Sequence, residues 1–124
     1  MLVLLDTSIL IYLVERPSSF LDQVGAQLGR ADLCVLQPAV GELRSLAKTK
    51  GARGKRARAA LSFAERLKVL PGGGEADDAI VRAAVEEGAV VATLDRELIA
   101  SLRRKGVPVA TVSGDRLLFL GKSF

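Results

Sequence analysis

The chain has 124 residues, of which 49% are hydrophobic and 26% charged, and this length and composition indicate one globular domain with a real core. It contains no histidine, which excludes His-based triads and zinc sites that use histidine, so any metal must be held by oxygen ligands. The net charge is +4, but residues 44–68 hold nine of the 18 basic side chains, with Glu65 as the one acidic residue there. Such a segment favours a phosphate-rich partner, and an ordinary solvated helix face is the alternative.

The apolar start of the chain is too short for a targeting or membrane segment. Asp6 interrupts it after five residues, no basic leader precedes it, and no stretch reaches about 18 consecutive apolar residues. The single cysteine, Cys34, lies in an apolar run at 33–36, which indicates a buried hydrophobe in a reducing compartment. We therefore expect a cytoplasmic protein that has no membrane partner.

In the first half of the chain, apolar runs alternate with helical patterns. Residues 1–5 are all apolar, which suits a strand buried on both faces of a parallel sheet. Asp6 ends this strand, and Thr7 and Ser8 are favourable N-cap residues for the helix that follows. The other segments predicted in this half are a helix over 7–15, a helix from Ser18 or Ser19 to Gly29, a strand over 33–36, a helix over 38–47, chain breaks at Gly51 and Gly54, and a fourth helix.

The second half of the chain continues the alternation of strands and helices. Its predicted segments are strands at 69–70, 89–94 and 107–112, helices at 75–87 and 97–105, and an apolar tail at 117–120 that adds or covers an edge strand. Alternation of this kind predicts a parallel, right-handed α/β sheet. We therefore expect a single domain over 1–124, a three-layer sandwich whose central parallel sheet of about five strands is flanked by helices.

Four acidic residues fall at element ends that such a sheet would bring together, namely Asp6, Glu42, Asp77 and Asp95. Each has an ordinary alternative: Asp6 and Asp95 as helix N-caps, Asp77 as a complement to its helix dipole, and Glu42 as a solvated residue. Together they form the oxygen-only ligand set that Mg²⁺ or Mn²⁺ requires. Such an ion can activate water and stabilise the charge of a phosphodiester displacement.

Helical periodicity distinguishes Asp77 from its neighbour Asp78. Asp77 is predicted to point into the apolar stripe of its helix, where a carboxylate is costly unless a charge or metal meets it. Asp78 lies about 100° away, where it can form an i,i+4 ion pair with Arg82. The stripe itself is predicted to consist of Ile80, Val81, Ala84 and Val85.

These motifs resemble those of PIN-domain ribonucleases over essentially the whole chain. The matching segments are residues 4–8 (LLDTS), 42–43 (EL), 76–80 (ADDAI), 91–98 (VATLDREL) and 106–109 (GVPV). The resemblance implies a PIN-like fold and an Mg²⁺- or Mn²⁺-dependent endoribonuclease. Asp6, Glu42, Asp77 and Asp95 would then be its catalytic, metal-binding acids, and Thr93 a polar helper. One departure is Leu94, at a position where the family often has asparagine.

The resemblance also implies partners. RNA would be the substrate, and Arg53, Lys55, Arg56 and Arg58 of the basic segment would bind it. Two branches of the family fit: VapC-type toxins, which pair with a small antitoxin protein, and rRNA-processing nucleases, to which the 76–80 motif and the tail are slightly more similar. Many PIN domains dimerise, which the apolar tail would suit.

Three other protein classes compete with this interpretation. A phosphoacceptor receiver domain needs an acidic pair after the first strand and a lysine after the fifth. A haloacid-dehalogenase-like phosphatase needs Asp-x-Asp after the first strand. The segment Asp6-Thr7-Ser8 supplies neither the acidic pair nor the Asp-x-Asp motif. The remaining alternative is a catalytically inactive PIN-fold adaptor that binds RNA. Its sign would be the loss of one or more acids, and all four are present.

Overall fold

The fold is built on one sheet whose strands alternate with helices along the chain. The computed structural model describes residues 1–121, and of residues 17–19 and 76 it describes the backbone only. None of the described helices is both long and apolar enough to span a bilayer. The elements are β1 (Leu2–Leu5), α1 (Thr7–Glu15), α2 (Pro17–Leu28), β2 (Asp32–Leu36), α3 (Gln37–Ala47), α4 (Gly51–Ala64), β3 (Lys68–Leu70), α5 (Ala76–Glu87), β4 (Val90–Ala92), α6 (Arg96–Arg104), β5 (Val109–Ser113) and β6 (Arg116–Leu120).

The sheet separates two hydrophobic cores. Its strand order is β3-β2-β1-β4-β5-β6, with parallel pairing everywhere except between β5 and β6. Because successive side chains of a strand point to opposite faces, Val3 and Leu5 pack with helices α1 to α4, whereas Leu4 packs with α5 and α6. The predicted three-layer α/β architecture is confirmed. The apolar tail forms the edge strand β6, and Cys34 is fully buried as expected.

The middle of the sheet is a topological switch point. From β1 the chain moves outward to β2 and β3, and it then returns to place β4 on the other side of β1. In the register of this pair, Leu5 lies opposite Ala92, and the Asp6 amide donates to the Ala92 carbonyl at 3.0 Å. The residues that follow β1 and β4 therefore meet at the carboxyl edge of the sheet, where open α/β folds bind ligands.

The connection between α3 and α4 is tighter than the sequence predicts. Gly51, with φ +83°, begins α4, and Gly54 lies inside that helix, so the predicted chain break at Gly54 is wrong. A Cβ atom at Gly54 would lie 1.8 Å from the carbonyl oxygen of Thr49, so only glycine allows this approach. The Arg58 guanidinium reinforces the turn by donating to the carbonyls of Ala47 at 2.9 Å and Thr49 at 3.4 Å.

The first helix begins where the sequence predicts, whereas the second begins earlier. Helix α1 spans Thr7–Glu15 as predicted, with Asp6 at its N-cap position, so Thr7 and Ser8 lie in its first turn rather than before it. Helix α2 begins at Pro17, ahead of Ser18 and Ser19, because proline is well suited to the first helical position, and its predicted start is therefore wrong.

Helix α2 holds the turn between β5 and β6 through one side-chain amide. Gln23 Nε2 donates to the Asp115 carbonyl at 2.9 Å, and the Leu117 amide donates to Gln23 Oε1 at 2.7 Å. An ion pair between Arg16 and Asp115 lies beside these bonds. The last strand is therefore fastened both to β5 and to α2.

Candidate functional site

An open cleft of about 460 Å³ lies at the carboxyl edge of the sheet, and all four predicted acids line it. Because β1 delivers Asp6, α3 Glu42, α5 Asp77 and the end of β4 Asp95, residues far apart in sequence meet at one place. Its other lining residues are Thr7, Ser8, Ile11, Leu46, Arg53 and Glu75. Of these, Arg53 was expected in the RNA-binding segment, whereas Glu75 was not expected in the site.

Asp6 is the most buried of the four acids, with 8% of its surface exposed. It occupies the N-cap position of α1, but its carboxylate makes no capping bond to the helix amides, so capping does not account for this side chain. Instead, Oδ2 accepts hydrogen bonds from Ser8 Oγ and Thr93 Oγ1, both at 2.8 Å. Two hydroxyl donors on one oxygen fix the orientation of the carboxylate toward the cleft.

The two hydroxyls also tie β1 to the loop after β4. Thr93 is fully buried, and its Oγ1 accepts from the Asp95 amide at 3.0 Å. Ser8 Oγ accepts from the Leu94 amide at 2.9 Å and lies 3.2 Å from Thr93 Oγ1. The sequence predicts Ser8 only as a helix cap, because Thr93 and Leu94 lie more than 80 residues away and no local pattern reveals them as its partners.

Asp95 combines two roles that the sequence left as alternatives. Its Oδ1 accepts from the amides of Glu97 at 2.9 Å and Leu98 at 3.2 Å, so it caps α6. The residue nevertheless lines the acidic cleft. A carboxylate has several lone pairs, so capping through one oxygen does not prevent the group from facing a ligand.

Asp77 lines the cleft from an exposed position on α5, whereas the sequence predicts that it points into the apolar stripe of that helix. Ile80 and Ala84 of α5 are buried, but Val85 is 55% exposed and Asp77 itself is exposed, so its placement on the apolar stripe is wrong. The expected ion pair between Asp78 and Arg82 is also wrong, because Arg82 donates to the Gly73 carbonyl at 2.5 Å. Asp77 faces solvent within the cleft rather than the core.

Partial burial and, after it, repulsion between neighbouring acids raise the pKa of two of the four, Glu42 and Asp77. Partial burial raises the pKa of Glu42 above its ordinary value, the negative charge of Asp6 raises it further, the Thr7 hydroxyl lowers it, and Asp77 adds a smaller increase. Partial burial likewise raises the pKa of Asp77, followed by the charges of Asp6 and Asp95. The four acids therefore lie within electrostatic reach of one another.

The chemistry of this donor set suits a hard cation, although the acids are not drawn together around one point. Within residues 1–121 as described, no three of the acidic or cysteine side chains converge closely enough to hold an ion as they stand. Thr7 Oγ1 is buried and, among the described residues, lacks a partner at hydrogen-bonding geometry, although Glu42 lies near it. Carboxylate and hydroxyl oxygens spaced around an open cleft leave room for retained water, which Mg²⁺ prefers.

The predicted RNA-binding residues divide into two groups. Arg53 lines the acidic cleft, and Lys55 is exposed on the same helix. Arg56 Nε lies 3.2 Å from Glu15 Oε1, and Arg58 is bound to the carbonyls of the α3–α4 turn. The structure therefore brings Arg53 to the acids and gives Arg56 and Arg58 protein partners.

Comparison with known proteins places this geometry in a family. Ribonuclease VapC9 of Archaeoglobus fulgidus is 26% identical over 116 residues, which span 93% of this chain and 85% of that protein. The structure of the PIN domain endonuclease Utp24 superposes with a TM-score of 0.79 and 26% identity, covering 98% of this chain and 92% of that one. VapBC2 from Rickettsia felis, solved bound to a DNA fragment from their promoter, shares the fold at 14% identity, with a TM-score of 0.69 over 91% of this chain and 100% of that one. The family model described as PIN like domain matches residues 3–115, so this chain belongs to the PIN-like domain family.

Proposed function

We propose that the protein is a metal-dependent endoribonuclease that hydrolyses RNA phosphodiester bonds. The observation that carries the proposal is the convergence of Asp6, Glu42, Asp77 and Asp95 on one cleft at the switch point of the sheet. The raised pKa values of Glu42 and Asp77 support it, because partial burial and, after it, the neighbouring negative charges disfavour these carboxylates unless a cation or proton offsets their charge. The relatives named Ribonuclease VapC9 and PIN domain endonuclease Utp24 point to the same activity.

In this proposal the acids hold Mg²⁺ or Mn²⁺. Asp6, Asp77 and Asp95 are the direct ligands, and Glu42 binds the metal or positions the attacking water. The ion supplies activation of water and stabilisation of the charge that develops on the phosphate. Ser8 and Thr93 are positioning residues, because their hydroxyls hold Asp6 in a fixed orientation.

The basic segment binds the RNA backbone, with Arg53 nearest to the scissile phosphate. Arg53 shares the cleft with the acids, so its guanidinium can contact a phosphate oxygen beside them. Lys55, Arg56 and Arg58 extend this surface. Of these, Arg58 contributes least to binding, because its guanidinium already bonds two backbone carbonyls.

Two biological roles fit the proposed activity. The likeness to Ribonuclease VapC9 and to VapBC structures supports a toxin that pairs with a small antitoxin. The likeness to the PIN domain endonuclease Utp24 supports a nuclease without an antitoxin, for which we propose RNA processing. We propose a cytoplasmic location and a homodimer for both roles. The second candidate function is a catalytically inactive adaptor that binds RNA through Arg53, which lines the cleft, and Lys55, which is exposed on the same helix.

The test is RNA cleavage in Mn²⁺ by the wild type, Asp6→Asn and Asp77→Asn, with Asp22→Asn as the matched control. Asp22 is an exposed acid on α2 that does not line the cleft. We expect cleavage by the wild type and Asp22→Asn, and a loss of about 100-fold or more in both cleft variants, the scale of removing a group that stabilises the transition state. Equal cleavage by all four proteins would refute the assigned site.

A second measurement separates the nuclease from the adaptor. Millimolar Mn²⁺ should raise the melting temperature of the wild type and not of Asp6→Asn, because a ligand that binds only the folded state stabilises it. RNA binding without cleavage, together with a melting curve that Mn²⁺ leaves unchanged, would favour the adaptor.

A further inference from the structure

A second groove, of about 520 Å³, lies between α5 and α6 beside the acidic cleft. Glu75 and Asp77 line both spaces, so the two are adjacent. The remaining walls come from successive turns of α5 and of α6. A ligand that fills the acidic cleft and extends past Glu75 and Asp77 reaches the groove.

The groove changes charge along its length. Its near end, at the first turns of α5 and α6, holds the acids Glu75, Asp77, Asp78 and Glu97, whereas its far end holds Arg104 and Lys105. The remaining charged residue of its lining is Arg82. Arg104 lies seven positions after Glu97 along α6, a rise of about 10 Å. The cationic end is thus far enough from the proposed reaction centre to act on a different phosphate of the same strand.

We propose that the groove between α5 and α6 binds the sugar-phosphate backbone of the RNA strand on one side of the scissile bond, through Arg104 and Lys105. The proposal rests on the proposed function and names a binding surface for it on the opposite side of the cleft from α4. It also explains how a strand of phosphates stays bound beside a cluster of acids, because cations at both exits offset the repulsion.

Helix stability gives Arg104 and Lys105 an ordinary explanation. Cations favour the carboxyl end of a helix through its dipole, and Arg104 Nη2 donates to Ser101 Oγ at 3.1 Å. Arg103 lies in the same last turn but does not line the groove. If the helix dipole were the whole explanation, replacing Arg103 or Arg104 should have similar effects, whereas the proposal predicts that RNA binding weakens when Arg104 is replaced and not when Arg103 is replaced.

The experiment measures fluorescence anisotropy of a labelled long oligouridylate in EDTA, where metal-dependent hydrolysis cannot proceed. It compares the wild type, Arg104→Ala/Lys105→Ala and the charge-matched control Arg103→Ala/Arg116→Ala. At low salt the groove variant should bind the oligouridylate about tenfold more weakly than the wild type. In a plot of the logarithm of the binding constant against the logarithm of the salt concentration, its slope should be shallower by about 0.7 for each phosphate that it no longer neutralises. The control should keep the wild-type slope.

Substrate length provides an independent readout. A short oligouridylate that fills only the acidic cleft should bind the wild type and the groove variant equally, whereas a long one should distinguish them. This coupling between length and substitution would not arise from a merely structural effect. The inference is overturned if the groove variant keeps the wild-type salt slope, or if it weakens short and long probes alike.

Cleavage assays separate the two proposals. If the wild type cleaves RNA and the groove variant keeps the wild-type salt slope, the nuclease stands and the groove does not bind the strand. If the wild type binds RNA through Arg104 and Lys105 but does not cleave it in Mn²⁺, the groove stands and the nuclease falls. Absence of RNA binding by the wild type overturns both.

Discussion

Replacing Thr93 with valine tests the hydrogen-bond network that orders the acidic cleft. Thr93 Oγ1 is fully buried, donates to Asp6 and accepts from the Asp95 amide. Valine keeps the shape but removes both bonds, which leaves the Asp95 amide without this acceptor. A bond to a charged group contributes about 1.5–3 kcal/mol and a buried unpaired donor costs about 1–3 kcal/mol, so we expect a loss of about 3 kcal/mol.

Urea denaturation measures this loss directly. A loss of about 3 kcal/mol lowers the urea midpoint by about 1–2 M for a protein of this size while leaving the slope unchanged. Thr93→Ser is the control, because it keeps the hydroxyl and should cost only about 1 kcal/mol for the missing methyl group. Thr93→Val and Ser8→Ala should be non-additive by about 0.5 kcal/mol or more, since both hydroxyls contact the same Asp6 oxygen. A Thr93→Val protein within about 0.5 kcal/mol of the wild type would refute the reasoning.

Two further predictions concern charge and backbone packing. In EDTA, the Glu42→Gln/Asp77→Asn variant should be more stable than the wild type by at most about 1 kcal/mol, because repulsion between exposed like charges is weak. Differential scanning calorimetry should show a Tm about 3 °C higher at neutral pH. Folding raises the pKa of both carboxyls, so the folded state binds more protons than the unfolded state at pH values between the ordinary and the raised pKa. The contribution of these two groups to the free energy of unfolding of the wild type therefore increases as pH falls through this window. The advantage of the variant should therefore shrink with acidification, and an advantage that grew instead would contradict the assigned cause. Gly54→Ala should destabilise by about 3 kcal/mol, because its Cβ would clash with the Thr49 carbonyl at 1.8 Å. The control Gly41→Ala, in α3 with open space around it, should stabilise by about 0.5–1 kcal/mol in the same urea experiment, and equal effects of the two would argue against the close approach.

The element pattern could be predicted from the sequence because its signals are local. Fully apolar runs mark the central strands, and glycines mark helix ends such as Gly29 and Gly88, both of which have positive φ. The placement of Asp6 and Asp95 at one sheet edge follows from the same alternation, whereas Glu42 and Asp77 reach that edge from helices α3 and α5. Parallel strands bring their carboxyl ends together whatever the loops between them contain.

Side-chain direction and partnership could not be predicted in the same way. A helical wheel treats Val85 as core because valine is apolar, but the buried face of α5 is set by what the helix packs against, and Val85 lies outside it. The low helix propensity of glycine predicts a chain break at Gly54, whereas glycine is needed there because the helix backbone approaches the carbonyl of Thr49 in a neighbouring turn. A basic segment likewise does not reveal that Arg58 is bound to carbonyls while Arg53 faces the acids.

The amide of Gln23 presents one donor and one acceptor to the β5–β6 turn, as a neighbouring peptide group would. The C-terminal strand and α2 are consequently joined although they are distant in sequence. In native-state hydrogen exchange we expect the amides of β6 and α2 to open together as one cooperative unit, while Gln23→Ala should divide that unit into two. Because β6 is the edge strand farthest along the sheet from β3, an uncharged side chain would then link the exchange of that sheet edge to the exchange of a helix.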